Sequence, residues 1–224
     1  MKLRVASLSL LALGLTLAAV PASAQVVYNN GPIYGNTDAW TFNFGFIQSD
    51  SFTVSGGNST LTGLSFGAWL FPGDTLTSAE VWITSNEGGG TSYFNQVVSF
   101  AQSGCQTNNF GYDVCTEMGS FHGPSLNNGT YWLNLENGVV PSGDPVYWDE
   151  NSGIGCTSPG CPSEASNNSV GTMPSEAFTI LGTSSSTSTS TSTTTTGTVP
   201  EPGSIMLFGS GILGLVGMLR RKLF

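Results

Sequence analysis

Between Gln25 and Leu181, apolar residues recur at every second position, in short runs separated by glycine-rich turns. The clearest run extends from Trp40 to Phe46, where an aromatic residue stands at every other position. A period of two places alternate side chains on one face of a strand. No window of ten or more residues in this interval has the period of an amphipathic helix. The pattern predicts an all-β fold for residues 25–181, an antiparallel β-sandwich of jelly-roll type.

Two segments at opposite ends of this interval share one pattern of alternation. Ser51–Val54 and Ala177–Ile180 each place two apolar residues on one face of a short strand. The terminal strands of a jelly roll lie close together, so we expect these two segments to be near each other in the fold.

The charges of the chain are divided by position. All five basic residues lie near the two ends of the chain, at Lys2, Arg4, Arg220, Arg221 and Lys222. The interval from residue 25 to 199 holds thirteen acidic residues and the one histidine, His122. Nucleic acid binding is excluded for this interval because phosphate neutralisation needs Lys or Arg. Anionic lipids and anionic polysaccharides would be repelled as well.

The first 24 residues have the organisation of a secretory signal peptide. Lys2 and Arg4 form a positive region, an apolar run extends from Leu8 to Val20, and a small-residue cleavage site ends at Ala24. This pattern predicts export through the translocon and cleavage before Gln25. An uncleaved anchor is the alternative, disfavoured because the apolar run is short and ends at a proline.

The C-terminal region divides into a linker and a tail. Residues 182–198 are almost entirely Ser and Thr, which predicts an extended linker. The tail, residues 199–224, begins with a Pro-Glu-Pro motif and continues with an uncharged apolar segment at 204–219, long enough for a minimal membrane helix. The motif residues are Pro200, Glu201 and Pro202, and the basic residues that would stop transfer are Arg220, Arg221 and Lys222.

This order of motif, apolar helix and basic cluster resembles the PEP-CTERM sorting signal of exported bacterial proteins. The resemblance covers the tail and implies processing by a membrane-embedded exosortase. It also implies a protein that is anchored in the inner membrane before processing and then lies at the cell surface or in the extracellular matrix. A plain C-terminal membrane anchor is the alternative.

Four cysteines lie in the exported part of the chain, an even number that suits an oxidising compartment. Sequence allows three pairings, and we favour the two local bridges, Cys105–Cys115 and Cys156–Cys161, because each closes a plausible turn. A zinc site is the rival interpretation, but it lacks the CxxC spacing and a second histidine.

No catalytic motif is apparent in residues 25–181, which we call the body. No nucleophile elbow surrounds a serine, and His122 lies in a loop-like sequence. The best enzyme signal is the carboxylate pair Asp149 and Glu150 beside two aromatics, as in a glycosidase. Adjacent strand residues point to opposite faces, however, so one scissile bond would not meet both carboxylates. We therefore predict a non-enzymatic protein and keep glycosidase as a weaker alternative.

Two ligand-binding hypotheses remain. Calcium prefers carboxylate, amide and carbonyl oxygens, which predicts a site among Asp144, Asp149, Glu150 and Asn151, with a solvated acidic loop as the alternative. A carbohydrate-binding module is the alternative to a surface or matrix role. It would hold extracellular polysaccharide through exposed rings, for which the candidates are Trp69, Trp82, Trp132 and Trp148.

Overall fold

The computed structural model describes residues 24–185, and all the regular structure in that range is β-strand. The strands are β1 (Gln25–Asn29), β2 (Asp38–Thr41), β3 (Gln48–Val54), β4 (Asn58–Leu70), β5 (Ser78–Asn86), β6 (Gly89–Thr107), β7 (Asp113–Ser120), β8 (Ser125–Leu126), β9 (Gly129–Val139), β10 (Tyr147–Glu150), β11 (Ala165–Asn167), β12 (Gly171–Met173) and β13 (Phe178–Ser185). Neighbouring strands pair antiparallel. The all-β prediction is confirmed for these residues, and the antiparallel arrangement is consistent with a β-sandwich. The jelly-roll connectivity stays a prediction.

The strands form one curled sheet in the order β1-β13-β4-β7-β6-β5-β9-β3-β11-β12. The long strand β6 joins its two halves, since residues 89–99 pair with β5 and residues 100–107 pair with β7. Strand β10 lies between β2 and β4. A register irregularity between Ser103 and Gln106 lies near the end of β6, within the part that pairs with β7. One core cluster contains buried side chains from both halves, among them Leu64 of β4 and Ile83 of β5.

The core is rich in aromatic rings, which account for much of its apolar surface. Phe66 and Phe178 both pack edge-on against Trp148, with ring centroids 5.9 and 5.5 Å away. Phe52 and Phe178 lie on strands that do not pair with each other, and both rings pack against Tyr28, at 6.2 and 5.5 Å. The two segments with the shared pattern are thus connected through the first strand.

The aromatic run from Trp40 to Phe46 is not one continuous strand, so that part of the prediction was wrong. Strand β2 ends at Thr41, and Phe44 has a positive φ of 57° and is 65% exposed. The Asn43 side chain accepts a hydrogen bond from the Thr41 hydroxyl at 2.8 Å, and the Phe46 N–H donates to the Asn43 carbonyl at 3.1 Å. This local turn outcompetes the strand, because asparagine stabilises turns through its side chain.

Within the described range there is no helix long and apolar enough to cross a membrane. Residues 1–23 of the signal peptide, residues 186–198 of the Ser/Thr-rich linker and the apolar segment 204–219 lie outside the described residues. The first predicted linker residues, 182–185, instead continue strand β13 and pair with β4.

Candidate ligand-binding cleft

Asp149 lies on β10 and is fully buried. Its carboxylate fixes the position of Trp69, an aromatic side chain that forms one wall of a candidate binding cleft. One carboxylate oxygen accepts hydrogen bonds from Trp69 Nε1 at 2.6 Å and Gly35 N at 2.9 Å, and the other accepts from Tyr34 N at 2.7 Å. Burial raises the pKa of Asp149, while these three donors favour its ionised form. The carboxylate therefore holds both the Trp69 indole and the loop that begins at Tyr34.

A second wall comes from the loop between β6 and β7. Asn108 Oδ1 accepts hydrogen bonds from the backbone N–H groups of Phe110, at 2.9 Å, and Tyr112, at 3.0 Å. The sulfur atoms of Cys105 and Cys115 lie 2.11 Å apart across the base of this loop. The asparagine turn and the cysteine bridge together constrain the two rings that the loop carries.

These elements enclose a partly open, aromatic-lined space of about 430 Å³, which we call the aromatic cleft. Trp69 and Phe110 are stacked, with ring centroids 5.6 Å apart and planes inclined by 24°. Tyr112 meets Tyr147 edge-on at 5.6 Å. Phe110 is 58% exposed, whereas Trp69 beneath it is only 5% exposed. The complete lining is Thr37, Asp38, Ala39, Trp69, Phe110, Tyr112 and Tyr147.

A second cavity, of about 410 Å³, is mainly polar, and some of its lining residues are next in sequence to those of the aromatic cleft; we call it the amide pocket. Asn109 Nδ2 donates to Asn36 Oδ1 at 3.2 Å, and this contact links the two loops that form both cavities. The polar residues around the amide pocket include Asn36, Gln106, Thr107, Asn108 and Asn109. Among the residues that line the two cavities, Asp38 is the only charged one.

The four predicted tryptophans occupy three different environments. Trp69 lines the aromatic cleft. Trp148 is fully buried and donates to the Ala177 carbonyl at 3.0 Å, so it is a core residue and not an exposed ligand-binding ring. Trp82 and Trp132 lie on β5 and β9, where strand alternation gives them one solvent-facing side. Both are half-buried, and Trp82 Nε1 donates to Glu80 at 2.6 Å.

The four predicted calcium ligands do not converge through their side chains. Asp149 faces Trp69 as described, and Glu150 instead accepts hydrogen bonds from Ser152 at 3.0 Å and Trp40 at 3.4 Å. Asn151 Oδ1 accepts from Gly153 N at 2.8 Å. Asp144 borders a separate cavity beside Phe44. In the described part of the chain, no three acidic, His or Cys side chains are grouped to hold a metal, and the calcium site stays a prediction.

The second cysteine pair is also at disulfide distance, with 2.22 Å between the sulfur atoms of Cys156 and Cys161. Both pairs are the local ones that the sequence favoured. His122 lies exposed in a loop.

Sequence reasoning missed a buried polar cluster around Asp50 and Glu176. Both side chains are fully buried. Asp50 Oδ2 accepts from Glu176 N at 2.7 Å, and Gln48 Nε2 donates to Glu176 at 2.8 Å. Burial raises the pKa of Asp50 to about 8 and holds the pKa of Glu176 well above its ordinary value. Asp50 and Gln48 interrupt the apolar alternation of β3, which is the signal that was available in the sequence.

Comparison with known families identifies the tail. The protein-sorting motif of PEP-CTERM proteins matches residues 198–222, and the prediction of this sorting signal is confirmed. The motif implies an exported protein that is anchored in the membrane until an exosortase processes it. The match includes Pro200, Glu201 and Pro202 together with the basic cluster. No curated protein and no solved structure matches the chain.

Proposed function

We propose that this protein is a non-enzymatic component of the cell surface or extracellular matrix, exported by its signal peptide and released or sorted by an exosortase. The observation that carries this proposal is the sorting motif at 198–222, which follows a separate, well-packed β-structure. In this proposal the part of the Ser/Thr-rich linker that follows β13, residues 186–198, spaces that β-structure from the membrane before processing.

The absence of an enzymatic role is part of the proposal. Its support is that the two carboxylates with the best catalytic pattern, Asp149 and Glu150, hold different partners. Asp149 bonds the Trp69 indole and Glu150 bonds the Trp40 indole, so the two would not flank one glycosidic bond.

Cell fractionation of a host that expresses exosortase tests the sorting role. The wild-type protein is expected outside the cell, and the variant Pro200→Ala/Glu201→Ala/Pro202→Ala is expected to stay in the membrane fraction. Thr194→Ala in the linker is the matched control and should behave as wild type. The same distribution for wild type and motif variant would contradict the sorting role.

A carbohydrate-binding role is the second candidate, and the aromatic cleft favours it. Exposed, rigidly held rings beside amide side chains are the chemistry that sugar recognition uses. A glycan array probed with the protein released from cells, with and without calcium, tests this role. Binding to no glycan would reject it while leaving the surface or matrix role intact.

A further inference from the structure

We propose that the aromatic cleft and the amide pocket form one groove that binds an uncharged polysaccharide chain. This inference rests on the carbohydrate-binding candidate and gives it a location and a substrate class. Consecutive residues of the same two loops line the cavities: 34–36 and 108–109 line the amide pocket, and 37–39 with 110 and 112 line the aromatic cleft. A chain of several sugar units that follows the two loops would meet the rings and the amides in succession.

The aromatic cleft supplies the stacking surface. Phe110 presents more than half of its surface to solvent, and it lies on the stacked indole of Trp69, which supports it from below. The C–H face of a pyranose ring is apolar and packs against such a ring face. Tyr112 and Tyr147 close the side of the cleft and carry hydroxyl groups that exchange hydrogen bonds with sugar hydroxyls.

The amide pocket supplies polar groups of both kinds. An asparagine or glutamine side chain offers a carbonyl acceptor and two N–H donors, and a sugar hydroxyl needs one of each. Asn36, Asn109 and Gln106 are exposed, so their amides can serve a ligand. Since Asn36 and Asn109 already contact each other across the two loops, their relative position is set before binding.

The charges determine the class of sugar. Asp38 is the only charged residue among those that line the two cavities, and residues 24–185 contain no Lys or Arg. A uronic acid or a sulfate ester is anionic, so the Asp38 carboxylate would repel it and no Lys or Arg side chain would pair with it. The formal net charge of the protein, −9, adds to this repulsion. The groove therefore suits a neutral polysaccharide.

Several contacts hold both sides of the groove in position. The buried Asp149 fixes Trp69 and the Tyr34–Gly35 loop, while the Asn108 turn and the Cys105–Cys115 bridge fix the opposite loop. A preformed site loses less conformational entropy on binding than a mobile one.

Affinity electrophoresis of the released protein in gels that contain one polysaccharide each tests the proposal. The neutral probes are a β-glucan, a mannan and a galactan, and the anionic probes are a polygalacturonate and a sulfated galactan. We expect retardation by at least one neutral polymer and none by the anionic ones. Phe110→Ala should weaken that binding at least about tenfold, and Asn109→Ala should weaken it several-fold, as for residues at the centre of a binding site.

Two matched controls separate the groove from other surfaces. Phe44→Ala removes a similarly exposed phenylalanine outside the groove and should bind as wild type. Trp82→Ala tests the solvent-facing side of β5 and β9. Melting temperatures of all variants verify that they are folded.

The outcomes distinguish failure of the groove, of the substrate class and of the carbohydrate role. If a neutral polymer binds wild type and Phe110→Ala equally, or if Trp82→Ala alone abolishes binding, the groove is overturned and the carbohydrate role stands. If anionic polymers bind as well as neutral ones, the charge argument and the substrate class fail. If none of the polymers binds, the carbohydrate role and the groove fail together.

Discussion

At the scale of single residues, the unusual feature is the burial of carboxyl groups in a body without Lys or Arg. Asp50, Glu117 and Glu176 are fully buried. Both carboxylate oxygens of Glu117 lack a hydrogen-bond partner within the described residues, and burial raises the pKa of Glu117 to about 7. The fold thus favours the neutral forms of these acids, because no positive charge compensates for the loss of hydration.

The first prediction concerns the pH dependence of stability. The folded-state pKa of Glu117 lies above that of the unfolded chain, so the folded protein retains a proton that the unfolded chain releases. The free energy of unfolding should therefore fall as pH rises from about 4.5 to about 7. Glu117→Gln removes this titration and should stabilise the protein at pH 8 by on the order of 3 kcal/mol, with little effect at pH 4. Denaturant unfolding at both pH values measures the difference.

Glu164→Gln is the matched control, because Glu164 is exposed. It should leave the pH profile of wild type unchanged. A Glu117→Gln variant whose stability falls in parallel with wild type across this range would show that Glu117 does not contribute the titration.

The second prediction concerns Asp149. Asparagine at this position has one acceptor oxygen and adds two N–H donors, so some of the three donors from Trp69, Tyr34 and Gly35 would lose their partner. We expect Asp149→Asn to lower the free energy of unfolding by about 1–3 kcal/mol and to change the fluorescence of the indole it holds. Asp144→Asn, at a half-buried carboxylate, should do neither. Equal melting temperatures for both variants and wild type would contradict this role.

At the scale of elements, the β6–β7 loop depends on the Cys105–Cys115 bridge, which closes a short segment of chain. The third prediction is that each local disulfide contributes roughly 2–3 kcal/mol. Removing the first pair by Cys105→Ser/Cys115→Ser should also weaken polysaccharide binding, whereas Cys156→Ser/Cys161→Ser should affect stability alone.

Non-reducing peptide mapping with an acid-directed protease checks the connectivity of the two disulfides. Crossed pairing, or four free thiols, would contradict it.

The strands themselves were largely predictable, because alternation is a local property of a half-buried strand. Of the two alternating segments that the sequence analysis singled out, Ser51–Val54 lies within β3, and Ala177–Ile180 overlaps the start of β13. The Phe44 turn was not predicted, since a short-range asparagine hydrogen bond decided that segment against its apolar pattern.

The candidate site could be predicted only in part. Trp69 was identified from its residue type, but its partners Phe110 and Tyr147 come from loops and strands distant in sequence. Whether a tryptophan is exposed depends on tertiary packing, which is why Trp148 belongs to the core. Asp149 was named as a candidate calcium ligand, and that site stays a prediction. The hydrogen bonds of its carboxylate to an indole and two backbone N–H groups depend on tertiary packing that local sequence does not reveal.

At the scale of the whole molecule, a β-structure lies in sequence between a predicted signal peptide and the sorting motif at residues 198–222. The acidic body has no basic surface for anionic membranes, so attachment to the membrane would depend on the tail. Processing of that tail would convert an anchored precursor into a surface or matrix protein, with the linker remaining attached to the body.

The most direct test of this account is the intact mass of the protein recovered from outside cells that express exosortase. The account predicts a chain that begins at Gln25, because the signal peptide has been cleaved, and that lacks the apolar segment 204–219. Cells without exosortase should retain the longer form in their membranes. An extracellular or surface form with residues 204–219 still attached would contradict the account and leave a plain membrane anchor.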